Sequence, residues 1–285
     1  MTTTDQPITP ELRQWIIEQA KAGQPPEAVL KSMMASGWRE EVAADALETV
    51  LRGALDEHAR ANGLPPFSVV PEPHPPGSPT ALSIDGHEFK VLLSMRNPRV
   101  VVFGGLLTDA ECDELIVQAR ARLARSETVQ TATGSSEVNE ARTSEGMFFG
   151  RAETPLCTRL EARFAALMDW PVENGEGIQV LRYAPGAEYK PHYDYFDPTQ
   201  PGTPSILLRG GQRVASLVCY LNTPVRGGAT IFPDVLLDVA AVKGNAVFFS
   251  YDRPHPMTRS LHGGAPVVEG EKWVATKWVR EGRFE

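Results

Sequence analysis

The stretch EYKPHYDYF, Glu188 to Phe196, places two metal-binding side chain types close together, His192 and Asp194. Successive side chains on a strand alternate between faces, so residues i and i+2 point together. A neutral imidazole and a carboxylate on one face, joined by a second histidine from another strand, make a facial set of three donors. Such a set leaves coordination positions open and suits non-haem Fe(II). A lone His-x-Asp is more often a hydrogen-bonded or ion pair, so the third donor decides the reading.

Two histidines downstream compete for that role. His255 sits in DRPHPMT, where the flanking prolines remove backbone donors and disfavour a paired strand, so it reads as a loop residue. His262 lies in RSLHGGAPVVEGEKWVATKWVRE, followed by Lys272. VVEGEKW reads as strand, turn, strand, which predicts His262 and Lys272 on neighbouring antiparallel strands. A lysine buried beside a metal site needs an anion, and an anionic co-substrate would supply one. Taken alone, Lys272 is an ordinary side chain with a buried stem and a solvated head. His58 and His87 lie outside this strand region, and His74 falls in a proline-rich stretch and reads as solvated.

Around these residues the chain divides into three parts. Residues 1–60 read as a small helical domain: Thr9 before Pro10 is a helix start, and Leu12, Trp15, Ile16 and Ala20 recur at helical spacing. Ala28, Val29, Met33 and Met34 suggest a second helix ending near Gly37, and Val42 to Leu51 a third. The trio resembles the ubiquitin-associated type of three-helix module slightly, without a specific motif, and a packing or capping appendage is the plainer reading. Residues 61–83, with LPPFSVVPEPHPPGSP, read as a proline-rich linker. Residues 84–285 read as the main domain, the one that carries the candidate metal site. NPRVVVFGG gives a strand, Thr108 and Glu111 a capping box at a helix start, and PLCTRLEARFAALMDW a second helix. From Gly175 onward short strands dominate: GIQVLRYA, YKPHYDYF, RVASLVCYLN, ATIFP, LLDVAAV, NAVFFSY and WVATKWVR. The expected fold is mostly β with helices packed on one face, a double-stranded β-helix or jelly roll.

The bulk properties narrow the class further. The chain has 28 Lys+Arg against 36 Asp+Glu, a net charge of −8, which argues against a surface that tracks phosphates. Nucleic acid is therefore not an expected partner. Nor is a membrane, since no apolar run approaches the roughly 20 residues a span requires. The start MTTTDQPITPEL does not read as a signal peptide. Three scattered cysteines, Cys112, Cys157 and Cys219, form neither a disulfide framework nor a thiolate zinc site. A cytoplasmic location is the expectation.

The ordered motifs resemble those of the prolyl 4-hydroxylase family of Fe(II)- and 2-oxoglutarate-dependent dioxygenases, over roughly Pro98 to Arg283. LRYAPGAEYKPHYDYF, GGQRVASLVCYLNTPVRGGATIFP, LHGGAPVVEGEKWVATKW and EARTSEGMFF carry the likeness. By position, the resemblance implies His192, Asp194 and His262 as iron ligands. It implies Lys272 and Tyr183 at the distal carboxylate of 2-oxoglutarate, with Thr230 and Trp278 lining the same pocket. Tyr189 and Arg213 match substrate-facing positions, and Arg142 and Thr143 begin a lid, NEARTSEGMFFGR. One departure is Ala265, where the family often has cysteine, a change of packing detail.

The activity this implies is hydroxylation of a prolyl residue at its 4-position in a peptide or protein. It would consume O2 and convert 2-oxoglutarate to succinate and CO2, with ascorbate as reductant. The same chemistry on a free amino acid or small metabolite is an alternative. A non-catalytic jelly-roll binding module is another, and it predicts loss of a ligand or of the lysine; all are present.

Overall fold

The computed structural model describes residues 6–73, 79–129, 136–138 and 142–285. The chain forms two compact units, Met1–Phe67 and Ser68–Glu285.

The first unit holds three helices, α1 (Pro10–Lys21), α2 (Pro26–Ala35) and α3 (Glu40–Ala61). Thr9 caps α1, its hydroxyl accepting from the Leu12 N–H at 3.2 Å, with Pro10 at the first helical position. Ile16, Val29, Met33, Ala43, Leu47 and Val50 make a core of their own. Helix α3 runs ten residues past the expected Leu51, across Gly53 and on through alanine, leucine and arginine, until Asn62 and the left-handed Gly63 end it.

The second unit is a two-layered β structure with helices on one face. In chain order its strands are β1 (Ala81–Ile84), β2 (His87–Arg96), β3 (Arg99–Gly104), β4 (Ala124–Arg125), β5 (Glu127–Val129), β6 (Ser136–Val138) and β7 (Glu145–Phe148). There follow β8 (Gln179–Tyr183), β9 (Tyr189–His192), β10 (Arg213–Tyr220), β11 (Arg226–Gly227), β12 (Thr230–Phe232) and β13 (Leu237–Val239). The last are β14 (Ala246–Ser250), β15 (His262–Gly264), β16 (Val267–Glu269) and β17 (Lys272–Arg280). Nine form a major sheet in the order β1-β2-β3-β14-β10-β17-β8-β7-β4, and four a minor sheet, β13-β12-β15-β9. This is the expected jelly roll.

Alternation along the central strands builds both faces of the major sheet. Leu217 and Cys219 of β10, with Trp273 and Ala275 of β17, pack outward on the helices α4 (Asp109–Arg120) and α5 (Pro155–Met168). Tyr220 and Val274 point inward, toward Phe232 and Val239 of the minor sheet. The capping box of α4 forms in full: Glu111 N–H donates to Thr108 Oγ1 at 3.2 Å, and Thr108 N–H to Glu111 Oε2 at 2.9 Å. Glu111 also takes both prongs of Arg163 at 2.8 Å, tying α4 to α5.

In the second unit the structure departs from the sequence reading in four places. His262 and Lys272 are not on neighbouring strands: β15 belongs to the minor sheet, between β12 and β9, while β17 lies between β10 and β8. After β15 the chain runs through β16, which pairs with β11, and turns at Gly270 (φ +81°) into the other layer. Strand β9 stops at His192, so Asp194 stands in a bend beyond it. The later half of the expected lid is strand β7, paired with β8 and β4; residues 139–141 of that segment lie outside the described residues. Part of the expected linker belongs to the second unit: Pro71 and Pro73 are buried, and Ser68 N–H donates to Asp252 O at 2.7 Å. Prolines cannot extend a ladder, but an extended segment still packs by its rings. His74 lies outside the described residues.

Candidate active site

His192 and His262 are opposite one another in the β9–β15 pair, their ring centroids 4.4 Å apart. Each ring is oriented by the same device. His192 Nδ1 lies 2.9 Å from the carbonyl of Lys190, and His262 Nδ1 3.0 Å from that of Ser260. A carbonyl only accepts, so the proton sits on Nδ1 and Nε2 keeps its lone pair. Both Nε2 atoms face Asp194, His192 at 3.5 Å from Oδ1 and His262 at 3.5 Å from Oδ2. One donor atom from each residue falls within a 4.8 Å cluster, and among the described residues it is the one such grouping found. Gly263 permits the strand approach: a Cβ there would lie 2.8 Å from Tyr189 O.

The electrostatics favour the metal-binding protonation states. Burial pushes the Asp194 carboxyl up, but the charges around it, with Arg213 the permanent cation among them, outweigh it and hold the group below the usual carboxylate range. Burial pushes His262 down to about 4, so this ring stays neutral at ordinary pH. Phe249 packs on His262 at 4.4 Å between centroids and fixes its tilt.

Beside the cluster opens a small pocket lined from both sheets. Its floor is the inward row of β17: Lys272, Val274, Thr276 and Trp278. Lys272 is 4% exposed, sits opposite Tyr183 in the β17–β8 pair, and has its Nζ 5.6 Å from the Tyr183 and Tyr220 rings. Among the described residues no carboxylate pairs with it, and burial pushes its pKa down to about 8. Thr230 accepts from Tyr220 O–H at 2.8 Å, which leaves the threonine's own proton to donate. Among the described residues the buried indole N–H of Trp278 has no partner. A buried cation and two spare donors next to three metal-binding atoms fit an anionic ligand that also reaches a metal.

The residues matched to substrate binding divide. Tyr189 lines the pocket and stacks on His192 at 3.7 Å; burial pushes its phenol up to about 12. Arg142 lines the pocket too, donating to Gln179 Oε1 at 2.8 Å and lying 4.9 Å over the Tyr189 ring. Among the described residues its Nε, buried, has no partner. Thr143 instead ties the chain to Glu188, accepting from its N–H at 2.9 Å and donating to its carbonyl at 3.1 Å. Arg213 is held bidentate by Glu176 at 2.7 and 2.8 Å, with its guanidinium 4.0 Å over Trp278, so it backs the pocket wall. His255 caps a short 3-10 turn, its Nδ1 accepting from Met257 N–H at 3.1 Å.

Sequence reading did not name Thr276, Val218 or Leu181, which complete the pocket, nor Ser216 and Tyr251 behind Asp194. Alternation counted back from Trp278 would have given Thr276. A serine inside the apolar run RVASLVCY was a second available signal.

A jelly roll whose two sheets share a His-Asp-His cluster and a lysine-floored anion pocket defines a metal-dependent oxygenase class. The family model described as "2OG-Fe(II) oxygenase superfamily" matches residues 178–280. Prolyl 4-hydroxylase 2 of Arabidopsis thaliana is 38% identical over 221 residues, 69% of this chain and 72% of that protein. Prolyl 4-hydroxylase 1 of the same plant is 41% identical over 203 residues, 65% of this chain and 70% of that protein. The viral collagen prolyl hydroxylase of Paramecium Bursaria Chlorella virus-1, solved as a 2OG complex, gives a TM-score of 0.48 at 29% identity, covering 63% of this chain and 94% of that one. The chain belongs to the prolyl 4-hydroxylase family of 2-oxoglutarate-Fe(II) oxygenases. It is a 2-oxoglutarate-dependent dioxygenase.

Proposed function

We propose that this enzyme hydroxylates a prolyl residue, at its 4-position, in a peptide or protein. His192, Asp194 and His262 would hold Fe(II). Lys272 would pair with the distal carboxylate of 2-oxoglutarate, and Tyr183, Thr230 and Trp278 would donate hydrogen bonds within the same pocket. Iron, 2-oxoglutarate and O2 supply the oxidising power, yielding succinate, CO2 and the hydroxylated residue.

The chain's own work is binding, orientation and exclusion of water. The carbonyls of Lys190 and Ser260 hold the two imidazoles in the tautomer a metal requires. Leu181, Val218 and Val274 make the pocket wall apolar, which strengthens the attraction between the lysine and its anion. Tyr189 and Arg142 would meet the peptide, while Arg213 would support the wall from behind Trp278 and Thr143 would anchor the Arg142 segment. Ascorbate would serve as reductant. We place the enzyme in the cytoplasm, a reading that its free, buried Cys112, Cys157 and Cys219 support.

The observation that carries the proposal is the buried Lys272, with no carboxylate partner among the described residues, in the same pocket as the three-donor cluster. The test incubates the enzyme with Fe(II), 2-oxoglutarate and proline-rich peptides, and follows succinate and peptide mass. Gain of one oxygen atom on a prolyl residue is expected. Stimulation of 2-oxoglutarate turnover by free proline, and not by peptides, would overturn the peptidyl reading.

A further inference from the structure

Resting on the assignment of His192, Asp194 and His262 as a metal site, we propose that Ser216 and Tyr251 are positioning residues that fix the Asp194 carboxylate for its metal.

The two histidines are oriented by backbone carbonyls within their own segments. Asp194 has no such support, because β9 ends at His192 and the aspartate lies in the bend that follows. Its carboxylate is held from the other layer. Ser216 Oγ, in the middle of β10, donates to Asp194 Oδ2 at 2.6 Å, and Tyr251 OH lies 3.1 Å from Ser216 Oγ.

The direction of these bonds follows from valence. An ionised carboxylate only accepts, and serine has one hydroxyl proton. Ser216 therefore spends its proton on Asp194, and Tyr251 must donate to Ser216. The result is a one-way chain, Tyr251 O–H to Ser216 Oγ–H to Asp194 Oδ2. It engages Oδ2, the oxygen 3.5 Å from His262 Nε2, and so fixes the plane of the carboxylate whose Oδ1 lies 3.5 Å from His192 Nε2.

The surroundings give the chain no other purpose. Ser216 is 0% exposed and Tyr251 2%. Across the sheet, Ser216 is flanked by Phe249 of β14 and Trp278 of β17, and along the strand by Ala215 and Leu217. Hydroxyls in such a core cost free energy unless each proton finds an acceptor. Here the terminal acceptor is Asp194. The tyrosine is itself pinned to β10, its N–H donating to Val214 O at 3.0 Å. Partners of this kind, one bond removed from the metal, typically change metal affinity about 10- to 100-fold when lost.

The test titrates the full-length, metal-free chain with Mn(II), read by the electron paramagnetic resonance of the free ion, and records the melting temperature of each variant. Ser216→Ala should weaken Mn(II) binding by about 10- to 100-fold, and Ser216→Thr, which keeps the hydroxyl, should restore most of it. Tyr251→Phe, which removes only the outer donor, should weaken it by a smaller factor. The KM for 2-oxoglutarate at saturating Fe(II) should stay within about threefold, a split that a general loss of packing would not give. A folded Ser216→Ala protein that binds Mn(II) like the parent overturns the proposal. Should Ser216→Ala not fold, unchanged Mn(II) affinity in Tyr251→Phe overturns it. His192→Ala separates the two levels of argument: if that variant keeps full Mn(II) affinity, the metal-site assignment fails, whatever Ser216 does.

Discussion

Lys272 and Lys277 stand on one strand, β17, with their ammonium groups on opposite faces of the major sheet. Lys272 points into the pocket with no carboxylate beside it among the described residues, whereas Lys277 points outward and meets Glu161 of α5 at 2.6 Å. Both are nearly fully buried, at 4% and 3% exposure. The odd separation of the two positions sends two chemically identical side chains to different tasks.

Lys272→Met should raise the KM for 2-oxoglutarate far more than it lowers metal affinity. Truncating one side of a buried charge pair costs about 2–5 kcal/mol, or roughly 30- to several-thousand-fold. The ligand-free variant should also melt higher than the parent, because the cost of an unpaired buried ammonium is gone. Parallel 2-oxoglutarate kinetics and calorimetry of the apo-protein check both. An unchanged KM would remove Lys272 from the binding site.

The same lysine sets a pH dependence. Burial depresses its folded pKa from 10.5 to about 8. Below about 8 the group is charged in the folded and unfolded chains alike, and the folded chain bears the full burial cost. Between about 8 and 10.5 the folded chain has released a proton that the unfolded chain still holds, so the stability of the ligand-free protein rises with pH. Affinity for 2-oxoglutarate moves the other way, falling toward about tenfold per pH unit above 8 as the ammonium is lost. Denaturant melts and 2-oxoglutarate titrations between pH 7 and 10 would show the opposed slopes.

Lys277→Met leaves the Glu161 carboxylate buried beside the Ala152 N–H it accepts from, without its cation. Breaking a buried pair in this way costs about 3–5 kcal/mol. The melting temperature should fall by roughly 10 °C in a unit of this size. The KM for 2-oxoglutarate should not change, which differential scanning calorimetry and steady-state kinetics together would establish.

His262→Ala and Asp194→Ala should each abolish 2-oxoglutarate turnover to below about 1% of the parent, since even an outer partner of a ligand is worth up to about 100-fold. Metal content after Fe(II) loading is the direct measurement. His255→Ala should keep both metal and turnover, its ring being a turn cap. Equal losses at His255 and His262 would contradict the assignment.

Residues 68–285 should fold without the helical unit, because each unit encloses its own core. The isolated piece should give a cooperative melt and retain succinate formation with short peptides. If turnover of short peptides survives while that of a longer protein substrate drops, the helices recruit substrate.

The donor types and their order were legible in the sequence, since His-x-Asp, a later histidine and a lysine needed only motif spacing. The layers were not. VVEGEKW looks like a hairpin, and only the pairing of β16 with β11 and of β17 with β10 and β8 shows that the chain changes sheet at Gly270. The end of β9 was also hidden, because HYDYF keeps strand-like composition after the ladder has stopped. Ser216 and Tyr251 carry no motif; their meaning depends on Asp194 arriving from a distant segment. Glu176 likewise gave no sign of holding both Arg213 and Arg280, a pairing that tertiary proximity alone creates.

The division of the site between two sheets has a mechanical consequence. The two imidazoles ride on the minor sheet, while the ammonium of Lys272 and the hydroxyl that grips Asp194 ride on the major one. An ion and its co-substrate bound together would act as a clasp, fastening one layer to the other. Loading would then brace the fold as well as arm it, and the enzyme's resistance to heat would track the free concentrations of metal and 2-oxoglutarate.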